Sequence, residues 1–230
     1  MNWAEHNLVQ NGDVVSIAQW KEFDWLAQGF SLAKAGNIDH RFGDVVQARQ
    51  RVAKILDADA SNWTSMQQIH GSHIEDVSRD DIGAGLHNYE SGFADTDGLI
   101  TSEKGALLSV AVADCVPLLF VDPVKRQVAV AHAGRRGTFA GIAQKMFREM
   151  SEHGSRARDV QIVIGPSIGP CCYAFDDKPL DLWSINEEQL REAGAQIIIR
   201  TDICTKHTNY FFSHQRDPQA GRFAGLIGIT

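Results

Sequence analysis

Three short apolar runs standing close together constrain this chain more than any other feature: Leu107–Ala113, Pro117–Val121 and Val128–Ala131. Each is rich in Val and Leu and bounded by turn residues, the pattern of strands buried on both faces. Asp122-Pro123-Val124-Lys125 supplies a turn between the second and third. Reactive side chains stand at the strand ends: Asp114 and Cys115 after the first, His132 after the third. Gly134-Arg135-Arg136-Gly137 follows and leads into a helix. A thiol, an imidazole, two guanidiniums and a helix N-terminus are thereby directed to one sheet edge.

The rest of the chain reads as alternating helices and strands, an α/β protein of one domain spanning residues 1–230. Val14–Ala18 carries a weak strand signal. Asp44 caps a helix whose apolar face is Val45, Ala48, Val52, Ile55 and Leu56. Met66–Ile69 reads as a strand ending at His70. Asp95 and Asp97 precede the strand Leu99–Thr101 and read as a turn with solvated charges; the alternative is that they orient a histidine or bind a sugar hydroxyl. Thr138–His153 is the strongest helix, with Phe139, Ile142, Ala143, Met146, Phe147 and Met150 at helical spacing and Gly154 as its stop. The strand Val160–Ile164 enters an irregular Gly/Pro-rich loop to Tyr173, in which the adjacent Cys171 and Cys172 read as small core residues ill-placed to chelate one metal together. A helix over Glu187–Ala193, a strand over Ile197–Thr201 and a closing apolar strand complete the chain, with Arg216 and Arg222 flanking a polar loop before the last strand.

Composition narrows the function classes. The formal net charge of −7 argues against nucleic-acid binding by bulk attraction. The apolar runs are too short and too interrupted for a membrane span, and the N-terminus lacks a signal-peptide pattern. Four cysteines without disulfide-type spacing indicate a reduced, cytoplasmic compartment. A monomer or homodimer with a small-molecule substrate, and no nucleic-acid or membrane partner, is the expectation.

His70, Cys115 and His132 each end an apolar run. Two imidazoles and a thiolate suit zinc, with copper as an alternative, and three protein ligands leave the fourth position open as catalytic sites do. Cys115 and His132 equally suit a metal-free nucleophile and base. Asp114 is a candidate orienting or acid/base group beside Cys115. The helix start after Gly134 is a candidate phosphate site, with Arg136 supplying charge and Gly137 close backbone approach. Cys172 and Arg216 are candidate pocket residues.

QIHG at 68–71, ADTDGLIT at 94–101, VADCVPLLFVDP at 112–123, AHAGRRGT at 131–138, IGPSIGPCCY at 164–173 and DICT…FFSHQRD…GR at 202–222 resemble, in that order, the polyphenol-oxidase "laccase domain" family, also described as purine nucleoside phosphorylases and peptidoglycan-editing factors. The resemblance implies zinc or copper on His70, Cys115 and His132. It implies phosphorolysis of purine nucleosides (adenosine, inosine or methylthioadenosine) and adenosine deamination. It also implies a mixed α-β-β-α sandwich similar to the catalytic domain of cytotoxic necrotizing factor, whose Cys/His pair performs hydrolysis, so a metal-free hydrolase or amidase-like enzyme is a further expectation. Departures from the family pattern stand at Arg135, Ala174, His207 and Gln215 and bear on the substrate pocket. A copper-dependent polyphenol oxidase is disfavoured because the nine histidines include no His-x-His pair. A non-enzymatic interaction protein is the remaining alternative, its zinc closed by Cys171 or Cys204 as a fourth ligand.

Overall fold

The computed structural model describes residues 1–230. The strands are β1 (Leu8–Asn11), β2 (Val14–Ile17), β3 (Leu26–Ser31), β4 (Trp63–Thr64), β5 (Ile74–Asp76), β6 (Gly98–Thr101), β7 (Leu107–Val112), β8 (Val116–Asp122), β9 (Gln127–Ala133), β10 (Gln161–Ile164), β11 (Ala174–Phe175), β12 (Lys178–Pro179), β13 (Ile197–Arg200) and β14 (Phe223–Ile229). The helices are α1 (Val46–Ile55), α2 (Arg135–Phe139), α3 (Ile142–Glu152) and α4 (Leu182–Glu192).

The strands make two six-stranded mixed sheets, ordered β1-β2-β3-β14-β7-β4 and β13-β10-β8-β9-β6-β5, and a small β11-β12 hairpin. Most neighbours are antiparallel; the parallel pairs are β4 with β7, β5 with β6, and β13 with β10. The sheets face each other across one core, to which the first contributes Phe30, Val110, Phe223 and Ile227 and the second Leu119, Val121, Val128 and Val130. The alternate residues of β8 and β9, Leu118, Phe120, Ala129 and Ala131, face outward onto α3 and α4. Side chains alternate across a strand, so a strand covered on both faces reads as an unbroken apolar run. On the far side, Ala48, Val52 and Ala53 of α1 cover Val14, Ala27, Leu107 and Leu226 of the first sheet. The layers therefore run helix, sheet, sheet, helix.

Three elements depart from the sequence reading. The helix expected over Thr138–His153 begins at Arg135 and is interrupted at Gly141, whose left-handed backbone (φ 77°) separates α2 from α3. The apolar stripe survives from Ile142 onward, but Phe139 is exposed. Met66–Ile69 is not a strand. The Gln68 side chain instead donates to Ala111 O and accepts from Ala111 N, both at 2.8 Å, and so takes a strand's place along the edge of β7. The helix expected from Glu187 begins earlier, at Leu182, because Asp181 accepts the Ser184 amide and caps it.

Candidate metal centre and anion-binding cleft

The site is built on the β7–β8 turn and the end of β9. Pro117 pairs with His132 across the ladder, so Cys115, just before β8, lies beside the imidazole. The turn is held by Asp114, whose backbone takes a positive φ of 92°. That conformation costs a non-glycine residue on the order of 1–3 kcal/mol and persists only when its surroundings enforce it. They do: the Asp114 carboxylate accepts from Thr205 Oγ1 at 2.6 Å and from the Gln215 amide at 2.7 Å, and its carbonyl accepts from Ile168 N. Both carboxylate oxygens thus tie together the walls of the site.

His70 arrives from the other side, on the loop before β5, also with positive φ (64°). Its ring meets that of His132 edge-on at 4.8 Å between centroids. Asp97 fixes both histidines. Its carboxylate accepts from His132 Nδ1 at 2.7 Å and from the amides of Ile69, His70 and Gly71 at 2.7–3.2 Å. With Nδ1 engaged, Nε2 is the nitrogen His132 has free. Asp97 is fully buried, so the solvated-turn reading of this residue is corrected and the histidine-orienting one is what the structure shows. His73, by contrast, pairs with exposed Glu75.

The ligand atoms of His70, Cys115 and His132 lie within 4.8 Å of one another. Space for them depends on Gly134, where a Cβ would stand 2.9 Å from Cys115 Sγ and 3.1 Å from the His70 ring. Burial opposes charge on both Cys115 and His132, but each stabilises the other. The imidazolium, with a further hydrogen bond from His70, draws the thiol down to about 6. The thiolate and Asp97 lift His132 to about 9. Asp97 is itself held below the ordinary carboxylate range: burial works against this, but His132 and the Gly71 and Ile69 amides outweigh it. The result is a Cys–His–Asp relay that favours the thiolate, the form a metal requires. A histidine whose second nitrogen is held by a carboxylate is the usual support of a metal ligand. The donor set and its support therefore fit a zinc-type ion.

These groups open onto a cavity of about 350 Å³. Its walls combine Ile168, Tyr173 and Leu182 with three arginines, Arg41, Arg135 and Arg222, and with His214 and Gln215. Asp39 grips Arg41 at 2.6 Å, and the Arg222 guanidinium stacks 3.8 Å from the centre of the Phe42 ring. Burial lowers Arg222, and although Asp39 opposes this, the charge of Arg41 adds to the lowering. Clustered cations of this kind are relieved by an anion.

The structure brings His70, Asp114, Cys115 and His132 together in this cavity, and places the other sequence-derived residues elsewhere. Arg136 is exposed and donates to Ile69 O at 2.7 Å. Gly137 packs under Gly71, where a Cβ would come 2.7 Å from the Gly71 carbonyl. Arg216 donates to the carbonyls of Thr205, Thr208 and Phe211, fastening that loop. Cys172 sits beside His207, in a group with Cys171 and Cys204 separate from the first. Those sulfurs are accordingly not a fourth ligand for His70, Cys115 and His132, and neither Cys171, which is exposed, nor Cys172 is a core residue.

A sequence profile of the family described as multi-copper polyphenol oxidoreductase laccase matches residues 29–179 and 176–230. The chain belongs to this family. It is 32% identical over 258 aligned positions to a Bacillus subtilis protein named purine nucleoside phosphorylase YlmD, covering 99% of this chain and 92% of that one. It is 37% identical to the Geobacillus stearothermophilus protein of the same name, over 80% of this chain and 78% of the relative. The crystal structure of Bacillus licheniformis YfiH superposes with a TM-score of 0.89 at 30% identity, covering 97% of this chain and 99% of that one.

Sequence reasoning missed Arg41 and gave Asp97 only an alternative role. No local pattern marks Arg41. Asp97 is marked only by its place immediately before β6, beside the end of β9, a pairing that becomes visible once the strand order is known.

Proposed function

We propose that the chain is a metal-dependent purine nucleoside phosphorylase acting in this cleft. The observation that carries the reading is the meeting, in one cavity, of the His70–Cys115–His132 ligand set with the cationic wall of Arg41, Arg135 and Arg222. The names borne by the YlmD relatives support it. His70, Cys115 and His132 would hold zinc, which when bound supplies Lewis-acid polarisation to a substrate atom. Asp97 fixes the His132 ring, and Asp114 fixes the Cys115 turn and the wall carrying Gln215. The arginines neutralise a phosphate dianion and hold it for in-line approach to the ribose C1′. Ile168, Tyr173 and Leu182 offer the apolar surface on which a purine is held out of water, and His214 and Gln215 offer hydrogen-bonding groups to its edge or to the sugar. In the reaction a phosphate oxygen bonds to C1′ as the glycosidic bond breaks, and its electron pair leaves with the base. The soluble nucleosides expected are adenosine, inosine and methylthioadenosine, with adenosine deamination as a companion activity in the same cleft.

The test is to incubate zinc-loaded protein with each nucleoside, with and without phosphate, and separate the products by chromatography. Phosphate-dependent release of free base with ribose 1-phosphate is expected. Base release that ignores phosphate, or no turnover of any nucleoside, would overturn the reading.

One observation favours a second reading, a metal-free thiol hydrolase: Cys115, His132 and Asp97 form a relay with the thiol drawn down to about 6. Here Cys115 is the nucleophile, His132 the proton carrier and Asp97 the group that orients it. Activity that survives thorough chelation yet disappears in Cys115→Ala supports this reading; loss in both conditions supports the metal enzyme.

A further inference from the structure

A second set of soft ligands lies outside the cleft. Cys171 and Cys172 close the irregular loop after β10, and Cys204 and His207 lie on the segment after β13. Two backbone features bring the segments together. Ser167 and Cys204 pair as an isolated parallel bridge, with Ser167 N donating to Ile203 O and Thr205 N to Ser167 O. The first loop then curls back through Cys172 N and Tyr173 N, both donating to Gly169 O, which turns the two neighbouring sulfurs toward the second segment. Cys204 and His207 stand at the two ends of a single 3-10 turn, so a C-x-x-H spacing presents sulfur and imidazole on one side.

The four ligand atoms lie within 4.8 Å of one another. The two sulfurs flank one imidazole, Cys172 Sγ 2.9 Å from His207 Nε2 and Cys171 Sγ 3.8 Å from its Nδ1, and one of these nitrogens would serve as the ligand. Zinc–sulfur bonds of about 2.3 Å in a tetrahedron separate ligand atoms by roughly 3.8 Å, so this grouping needs little movement to close on an ion. Gly169 N also points at Cys204 Sγ from 3.4 Å, a backbone donor to a sulfur of the kind that supports a bound thiolate.

We propose that Cys171, Cys172, Cys204 and His207 form a second metal site, a closed tetrahedral zinc site distinct from the cleft. Three thiolates and one imidazole are the ligand set of structural zinc, and all four positions are filled by protein, which leaves none for a substrate. Its position gives it a function. The clamped loop carries Ile168 and Tyr173, which line the cleft, and the clamped segment carries Thr205, which holds Asp114. Zinc here would fasten the wall of the cleft to the turn that presents Cys115. The inference rests on the ligand geometry alone and is independent of the reaction assigned to the cleft.

The experiment is elemental analysis of zinc in protein kept reduced with a non-thiol reductant and equilibrated with an excess of zinc over both sites before desalting. The His70→Ala/His132→Ala variant isolates the second site and is expected to retain about one zinc per chain, as a filled four-ligand site should. The Cys172→Ser/Cys204→Ser variant is expected to hold one zinc fewer than the unmodified protein. His207→Ala, which alters an exposed side chain, is expected to fold normally and to yield its second zinc to a chromophoric chelator at least tenfold faster. Hydrogen exchange of residues 165–173 is expected to rise in both the cysteine and His207 variants. A zinc-free His70→Ala/His132→Ala protein, unchanged zinc content in Cys172→Ser/Cys204→Ser, unaltered release from His207→Ala, or a disulfide among these cysteines in the zinc-treated protein would each overturn the proposal.

Discussion

At the scale of single residues, Asp97 does the most with the least exposure. One buried carboxylate fixes the His132 tautomer and accepts the three amides that shape the His70 loop. Supports of this kind typically change metal affinity by about 10- to 100-fold. Asp97→Asn is therefore expected to weaken zinc binding by that factor in a competition titration, and unchanged affinity would mean the carboxylate is not a metal support. Gly134→Ala tests the same centre sterically: its Cβ would press on Cys115 Sγ and the His70 ring. Loss of zinc with an unchanged far-ultraviolet spectrum is expected; full zinc content would show that the ligands do not converge there. In chelator-stripped protein the thiolate of Cys115 gives a pH signature. Its iodoacetamide reactivity should hold through neutral pH and fall only as pH drops through about 6, because His132 holds the thiol low. Removing the Asp97 charge destabilises the imidazolium, so in Asp97→Asn this loss should move up toward the ordinary thiol value near ~8.5. An ordinary thiol titration in the unmodified, stripped protein would contradict the ion pair.

At the scale of elements, much was legible because the physics is local. β7, β8 and β9 appear as apolar runs, since strands buried on both faces leave no polar positions. The α3 stripe follows from helical spacing alone. Phe147 lies at its centre, 1% exposed and packed among Met146, Phe120 and Ile162. Phe147→Ala should cost about 3–5 kcal/mol in denaturant unfolding; a cost below 1 kcal/mol would mean α3 is not fastened to its sheet. What was not legible depended on partners distant in sequence. The helix breaks at Gly141, which takes a left-handed backbone (φ 77°) inside an otherwise continuous helical pattern. Gln68 takes a strand's place through a side-chain amide that no periodicity records. The two adjacent cysteines looked like core filler, because only the tertiary fold brings Cys204 and His207 to them.

At the scale of the whole molecule, the two sheets press closely together beside Gly165. Gly165, just beyond β10, meets Phe30 of the opposite sheet: a Cβ there would stand 2.5 Å from the ring and 2.8 Å from Pro117. Gly165→Ala should therefore destabilise the fold by about 1–3 kcal/mol through overpacking, and a neutral effect would show that the sheets part easily at this end. The same layering explains why His70, Cys115 and His132 stand out as candidates in the sequence while Arg41 does not. His70, Cys115 and His132 each end an apolar run, whereas Arg41 and Arg222 come from opposite ends of the chain and meet only beside β14. Arg135 and Arg136 are adjacent, yet only the former faces the cleft.

The most direct test of the central claim is the rate of adenosine phosphorolysis as a function of phosphate concentration, in zinc-loaded protein and in Arg222→Ala. Saturation with phosphate is expected in the first. In the variant the phosphate KM is expected to rise at least tenfold, or about 1.4 kcal/mol, with little change in kcat. Phosphate saturation that is the same in both proteins, or adenosine cleavage indifferent to phosphate, would contradict it.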